Sequence, residues 1–594
     1  MSALPNMSPL QTEPGEGGAA LRARRGDALR HDVPALLILG LAIGLACRGH
    51  FVMPYSDFFE FIDGGHALLH GHLPPTLKRP PVYGVLVVTL SKLVPAEAPE
   101  RVVAEWLNAL LLPINGLLVY LIGRRWFGAA ARWATVWFLL LPIGMYCTAH
   151  LISEPLLTCL ILLAVWLAQR GTAWAYVAAA AATMARFDAA GLILGVALAD
   201  LLRRRTVRAT AVRMVLAAAP LVAWLALTAL TWTERSEDHY LVRAAEQWQG
   251  LRPVRAFSMI TQAGFDPQLV QPPAWRFLPE PFLHWTAILL PLAMAAVGLA
   301  VGSRAPSTGA LVATVALLAY TAVHAIIPFD IERYGYPPAP LLIVLVAAGL
   351  HATCRWFRRH DARGVGGRVL LWMAGLLLML ALIDEARAAA LAAVGPSRLI
   401  GRLGWPALLA SVLVWAVAVL RRRQRLGQVV LLLGVAVLAT EQVSRAAALL
   451  GPGDNLRNEV EAARWVRGFA PPGARVLSAT PGLLRLYVGR EPPDRFVGFG
   501  DIRSQAWPEI IDECRRRHIA YMIWHDELGQ EHGPYYAEKW GLSRFDPLAH
   551  LETATGVQVV RTFPKHPNVV IVRVEPAPAT VRIVPGIQDT GYPY

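Results

Sequence analysis

Charge is scarce in this chain. Of its 594 residues only 16% are Asp, Glu, Lys or Arg, against about 25% in an ordinary soluble domain. An ordinary soluble enzyme does not fit that composition. Cysteine is also sparse. The five residues Cys47, Cys147, Cys159, Cys354 and Cys514 form no CxxC pair, so neither a disulfide framework nor a structural zinc site follows from their spacing. The C-terminal region has no GxGxxG or phosphate-loop signature, which removes the usual sequence grounds for nucleotide binding.

Apolar surface is abundant instead. Hydrophobic residues make up 55% of the chain, mean hydropathy is +0.42, and several stretches of about 20 residues, enough to cross a bilayer core as a helix, carry no charge. About thirteen spans are predicted, near 34–52, 102–122, 130–148, 154–168, 173–185, 189–202, 211–232, 283–301, 309–327, 337–354, 368–384, 404–420 and 427–446. Arginine clusters at Arg124–Arg125, Arg203–Arg205, Arg355/Arg358/Arg359 and Arg421–Arg423 fall on one side if these spans alternate. Short cytoplasmic loops are enriched in Lys and Arg, so the N-terminus is expected in the cytoplasm and the C-terminus outside. The net charge of +14 is then a cytoplasmic excess and no sign of a nucleic-acid partner.

The expected organisation is a disordered cytoplasmic tail over 1–33, a transmembrane domain over 34–450 and an extracytoplasmic α/β domain over 451–594. In the last, strand-like runs (Val476–Ser478, Ala520–Ile523, Val569–Val574) alternate with helix-like runs (Glu459–Phe469, Trp507–His518). Three outward loops, 53–101, 233–282 and 328–336, are long or rich in ionisable groups. The first has apolar residues near helical spacing and reads as two short helices in the membrane interface.

That loop reads Tyr55-Ser56-Asp57-Phe58-Phe59-Glu60-Phe61-Ile62-Asp63, then Lys78-Arg79-Pro80-Pro81. Asp57, Glu60 and Asp63 share one helical face, and ionisable groups held at lipid level are functional candidates. The plainer readings are a helix cap for the acids and lipid-headgroup anchors for the cations. Ser153-Glu154-Pro155-Leu156-Leu157 places a carboxylate at the outer start of a span, where capping and the helix dipole would also favour it. Arg186-Phe187-Asp188 and Glu332-Arg333-Tyr334-Gly335-Tyr336-Pro337-Pro338 lie at outer ends too. Topology gives no reason for a cation at Arg333.

In order and sidedness these motifs resemble the GT-C superfamily of integral membrane glycosyltransferases. The nearest groups in layout are the bacterial lipid A aminoarabinose transferases, the protein O-mannosyltransferases and the RgtA/B/C/D-like proteins. The resemblance spans about residues 34–355. It implies transfer of a hexose or pentose from a polyprenyl-phosphate carrier to a lipid, polysaccharide or protein acceptor on the outer face of the plasma membrane. It also implies Asp57 as catalytic base with Glu154 as a second catalytic acid, and Lys78, Arg79 and Arg333 toward the donor phosphate. Glu60, Asp63, Arg186, Asp188 and Tyr334 would support them. Here Phe58 follows Asp57 where many members have a second acid.

The chemistry agrees with one base. A lipid phosphate is already a good leaving group, so the departing side needs cations, whereas a glycosidase needs a second carboxyl to protonate its leaving alcohol. The expected reaction is inverting, with membrane lipid as a further partner and no cofactor. Some relatives use a divalent ion with paired acids, for which Asp57 and Glu154 could supply oxygens, but the first loop has no DxD and the reading leans against a metal. The alternative is a transporter or flippase of an anionic lipid or solute. That fold places its ionisable groups near the midplane of broken helices, whereas here they gather at outer ends.

Overall fold

The computed structural model describes residues 17–51, 56–74, 77–204, 206–231, 308–326, 332–359, 457–490, 494–502, 507–525, 556–563 and 569–575, with a few single positions besides. The expected spans near 283–301, 368–384, 404–420 and 427–446 and the loop 233–282 lie outside the described residues. The chain divides into two compact units. One comprises Met1–Arg48, Asp63–Leu86 and Ala104–Gly451, and the other Gly49–Ile62, Val87–Val103 and Pro452–Tyr594.

The helices of the first part of the chain are α1 (Gly17–Cys47), α2 (Ser56–Leu69), α3 (Val82–Ser91), α4 (Pro99–Phe127), α5 (Ala131–Leu139), α6 (Pro142–Ala149), α7 (Glu154–Arg170), α8 (Trp174–Ala185), α9 (Ala190–Arg204), α10 (Val207–Leu230), α11 (Thr308–Ile326) and α12 (Ala339–Arg359). Among the described residues, Arg30–Cys47, the nearly continuous run Pro99–Leu139, and Val207–Leu230 are long and apolar enough to cross a membrane. Shorter apolar helices occur at Val82–Ser91, Trp174–Ala185, Val312–His324 and Ala339–Gly349.

Two expectations need correction. Residues 17–33 are helical and continue into the first span, because Ala, Leu and Arg dominate there and are strong helix formers. The span expected over 130–148 is two helices, α5 and α6. A proline inside a helix costs about 3 kcal/mol, and the chain avoids this by turning extended at Leu141 (ψ 122°), which puts Pro142 in the first turn of α6.

Helix α7 illustrates the local logic. Its sequence is apolar on every face, as a helix surrounded by helices or lipid requires. Arg170 complements the dipole in the last turn, and Gly171 closes the helix at φ +72°, a conformation that costs glycine little. α7 packs on α8, α8 on α9 and α10, and α9 on α11. The α7–α8 and α8–α9 connections are short and α11 packs along α9, so the start of α7, the end of α8, the start of α9 and the end of α11 come together.

In the second unit α13 (Arg457–Phe469), α14 (Pro481–Tyr487) and α15 (Trp507–Arg516) accompany a five-stranded sheet. Its strands are β1 (Arg475–Ser478), β2 (Phe496–Gly498), β3 (Ile519–His525), β4 (Val557–Phe563) and β5 (Val569–Val574), in the order β2-β1-β3-β5-β4. β1 runs parallel to β2 and β3, while β5 is antiparallel to β3 and β4. Leu477, Ile510, Ile511, Cys514, Met522, Val570 and Val572 form the core between sheet and helices. Segments from the first loop belong to this unit. Phe59 packs so closely on Gly482 that a Cβ there would overlap its ring, and Glu97 pairs with Arg464 at 3.1 Å and Arg467 at 3.3 Å.

Candidate functional site

The first unit brings together motifs that are far apart in sequence. Glu154 opens α7. Arg186 follows the end of α8 in extended conformation (φ −158°, ψ 138°), and Asp188 sits in the one-turn 3₁₀ helix Phe187–Ala189 that leads into α9. Arg333 and Tyr334 lie on the 3₁₀ turn Glu332–Gly335, just before α12. Each therefore stands where a helix begins or ends, and the short connections between antiparallel helices gather them.

Glu154 is fully buried, and its Oε1 accepts a hydrogen bond from Arg186 Nη1 at 3.2 Å. The same oxygen lies 3.6 Å from Arg333 Nε, while Oε2 has no hydrogen-bond donor among the described residues. Ser153 makes no side-chain capping bond. Glu154 thus accepts a hydrogen bond from Arg186 and forms an ion pair with Arg333, which supplies the partner for Arg333 that topology left unexplained. Arg186 also grips Asp188, donating from Nε at 3.0 Å, with Nη2 again at 3.0 Å. Its guanidinium lies 4.6 Å from the centre of the Tyr334 ring, and that of Arg333 lies 5.2 Å from it, both within cation–π range.

Two further residues complete the cluster. The Tyr320 hydroxyl donates to the Tyr334 carbonyl at 2.8 Å, and His324 Nε2 is 3.4 Å from Asp188 Oδ2. They are four residues apart on α11 and therefore share a face. Burial acts to raise the Asp188 pKa, but Arg186 first and His324 second outweigh it and hold the carboxyl well below the usual carboxylate range. The two carboxylates, Glu154 and Asp188, match the two guanidiniums, Arg186 and Arg333, in number. This buried arrangement is a fixed frame of paired charges.

Lys78 and Arg79 stand on a separate turn of the same unit, Lys78 half-buried and Arg79 buried. Trp224 of α10 fixes that turn by donating its indole N–H to the Leu77 carbonyl at 3.1 Å. Asp57 is buried in the first turn of α2 and belongs to the second unit. Glu60 is half-buried on the same helix, as is Asp63, which falls in the first unit. Among the described residues, no three His, Cys, Asp or Glu side chains form a group that could hold a metal ion.

Sequence reasoning missed Tyr320 and His324, although a histidine inside the otherwise apolar run 309–327 was a visible signal. It also missed Tyr83, Asn108 and Asn115. Tyr83 donates to the Leu151 carbonyl at 2.9 Å. Asn108 donates to Ile152 O at 3.2 Å and Asn115 to Pro155 O at 3.0 Å. The two amides lie seven residues apart in an apolar span, hence on one face of α4.

No known sequence family and no curated protein matches the chain. Solved structures do. ArnT from Cupriavidus metallidurans bound to undecaprenyl phosphate superposes with a TM-score of 0.52 at 17% identity, covering 91% of this chain and 97% of that one. The apo state of the same protein gives 0.51 at the same identity and coverage. The archaeal oligosaccharyltransferase AglB from Archaeoglobus fulgidus, in complex with an inhibitory peptide and a dolichol-phosphate, gives 0.43 at 12% identity, covering 84% of this chain and 70% of that one. ArnT belongs to the GT-C superfamily. The chain has the GT-C fold, as the order of its motifs implied.

Proposed function

We propose that this GT-C protein is an inverting glycosyltransferase of the plasma membrane, taking a sugar from a polyprenyl-phosphate donor to an acceptor at the outer face. The observation that carries the reading is the buried contact of Glu154 with Arg186 and Arg333, formed where several helix ends meet. Cations held in place before the reaction stabilise a departing phosphate without having to reorganise as charge develops. The shared fold supports the donor class, because the ArnT structure holds undecaprenyl phosphate.

Each residue then has a distinct task. Asp57 takes the proton from the acceptor hydroxyl as that oxygen attacks the anomeric carbon from the side opposite the phosphate, which inverts the centre. A positioned base of this kind is worth about 10²–10⁴-fold. As the glycosidic C–O bond breaks, its electron pair moves to the phosphate oxygen. Arg333 faces that oxygen and Glu154 aligns the guanidinium, while Arg186, held by Asp188 and stacked on Tyr334, keeps Glu154 in place. Because Glu154 and Asp188 match the two guanidiniums of this frame in number, further positive charge for the donor comes from Lys78 and Arg79. Glu60 and Asp63 support the helix that carries Asp57.

The test is transfer in native membranes from a radiolabelled polyprenyl-phosphate sugar. Asp57→Asn is expected to abolish product while the protein remains folded and inserted. Wild-type-like transfer by that variant would overturn the role of Asp57. Substrate flux through proteoliposomes with no glycoside formed would replace the reading with transport.

A further inference from the structure

The backbone that carries Glu154 is unusual. Immediately before α7 the chain passes through Leu151 at φ +56°, a left-handed conformation that costs a branched residue roughly 1–3 kcal/mol and persists only where its surroundings hold it. Those surroundings are polar side chains in an otherwise apolar interior. Tyr83 of α3 donates to the Leu151 carbonyl, and Asn108 of α4 to the carbonyl of Ile152. The helix itself takes the Ser153 carbonyl, through Leu157 N–H at 3.0 Å. One residue past Glu154, Asn115 of α4 donates to Pro155 O. All three donors and the segment Leu151–Glu154 are buried.

We propose that Tyr83, Asn108 and Asn115 are positioning residues for Glu154, clamping the backbone on both sides of it so that its carboxylate meets Arg186 and Arg333. The inference rests on the glycosyltransfer reading for its effect on rate, though the clamp itself does not. Ordinary carbonyl satisfaction would not require a strained residue at this place. Nor would it require donors from two separate helices converging on five consecutive residues. Without the clamp Leu151 relaxes to negative φ, the first turn of α7 rotates, and Glu154 loses its alignment with the arginines.

Two measurements on the full-length protein in detergent test this. The first is hydrogen–deuterium exchange of peptides covering 150–158, compared among wild type, Tyr83→Phe and Asn115→Leu. Each substitution removes a donor at nearly constant volume. Exchange across 152–157 is expected to rise tenfold or more, with the C-terminal half of α7 unchanged. Unchanged exchange at 152–157 would overturn the clamp, as would a rise spread evenly over the whole chain.

The second is steady-state transfer. Each variant is expected to lower kcat at least tenfold per folded molecule with the donor KM within twofold, since the aligned cations act on the departing phosphate in the transition state. In a Glu154→Gln background the same substitutions are expected to lower kcat no further, because residues acting through one group are not additive. A full additional drop in that background would make their role structural and independent of Glu154. If wild type transfers no sugar, the glycosyltransfer reading falls, and the exchange experiment still decides the clamp.

Discussion

Glu154 and Arg186 lie thirty-two residues apart and meet at 3.2 Å with almost no exposure of either side chain. Arg186 is also the partner of Asp188, so one guanidinium holds the starts of two helices together. Removing a charge from such a site differs from deleting a surface ion pair, because the groups left behind remain buried and uncompensated.

Arg186→Met is accordingly expected to destabilise the protein by about 3–5 kcal/mol, read as a large fall in thermal unfolding temperature in detergent. Arg186→Lys keeps the charge but loses the fork that reaches both acids, and an intermediate loss is expected. A change of only a few tenths of a kcal/mol in Arg186→Met would mean that the cluster contributes little to folding.

The depressed Asp188 carboxyl sets a pH window. Its folded pKa lies below the unfolded value of about 3.9, so its contribution is fully present above that value and is lost as pH falls toward the folded one. Unfolding temperature is expected to show no Asp188-dependent change between pH 8 and 5 and to fall below about pH 4. Asp188→Asn is expected to be less stable at neutral pH and to show a shallower acid decline.

Cys514 reports on the second unit. Burial first, and the neighbouring Glu513 second, push its thiol up to about 12, so it stays protonated and shielded at pH 8. A charged alkylating reagent is expected to leave it unmodified in the native protein and to label it fully after denaturation, as followed by mass spectrometry. Above about pH 8.5, where an unfolded thiol ionises, this site increasingly favours the unfolded chain, and the penalty levels off only once the folded thiol also ionises near 12. Rapid native labelling would show that the α15–sheet core opens readily.

Contacts of the first loop in the second unit should differ sharply in weight. Glu97, Arg464 and Arg467 are substantially exposed, and such pairs contribute about 0–1 kcal/mol. Glu97→Ala should therefore leave stability nearly unchanged. Gly482→Val forces two methyl groups into the Phe59 ring, and overpacking of this kind costs about 1–3 kcal/mol. Chemical denaturation of the two variants checks the contrast, and equal effects would contradict it.

Much of the architecture is legible in the sequence, for reasons that differ by element. The helices of the 154–230 region stand within a few residues of their expected places, because charge-free runs end in Arg, Gly or an acid. In the second unit β1 and β5 are legible because they are largely buried, apolar and flanked by Pro or Gly, and β3 because an apolar run stands between charged segments. β2 is too short to show a period. β4 was missed because it is an edge strand with most residues exposed, so no face imposes alternation. Arg186 and Asp188 could be named as an isolated pair, but their link to Glu154 could not be read from spacing. It depends on how α7 packs against α8, a long-range relationship with no local signature. Asn108 and Asn115 went unread because each, taken alone, is an ordinary polar residue in a span.

The second unit also bears on the order of folding. It combines Gly49–Ile62 and Val87–Val103 with residues beyond Pro452, a separation of some 350 residues or more. Ribosomes add about 5–20 residues per second, so the segment bearing Asp57 and Phe59 emerges tens of seconds before Gly482 exists to receive it. Its apolar residues Phe58, Phe61 and Ile62, buried in the finished fold, must be sheltered meanwhile by lipid or by a chaperone. Synthesis of the C-terminal region is thus the step that completes the packing of Phe59, and truncation ahead of Gly482 would leave this early-made segment without it.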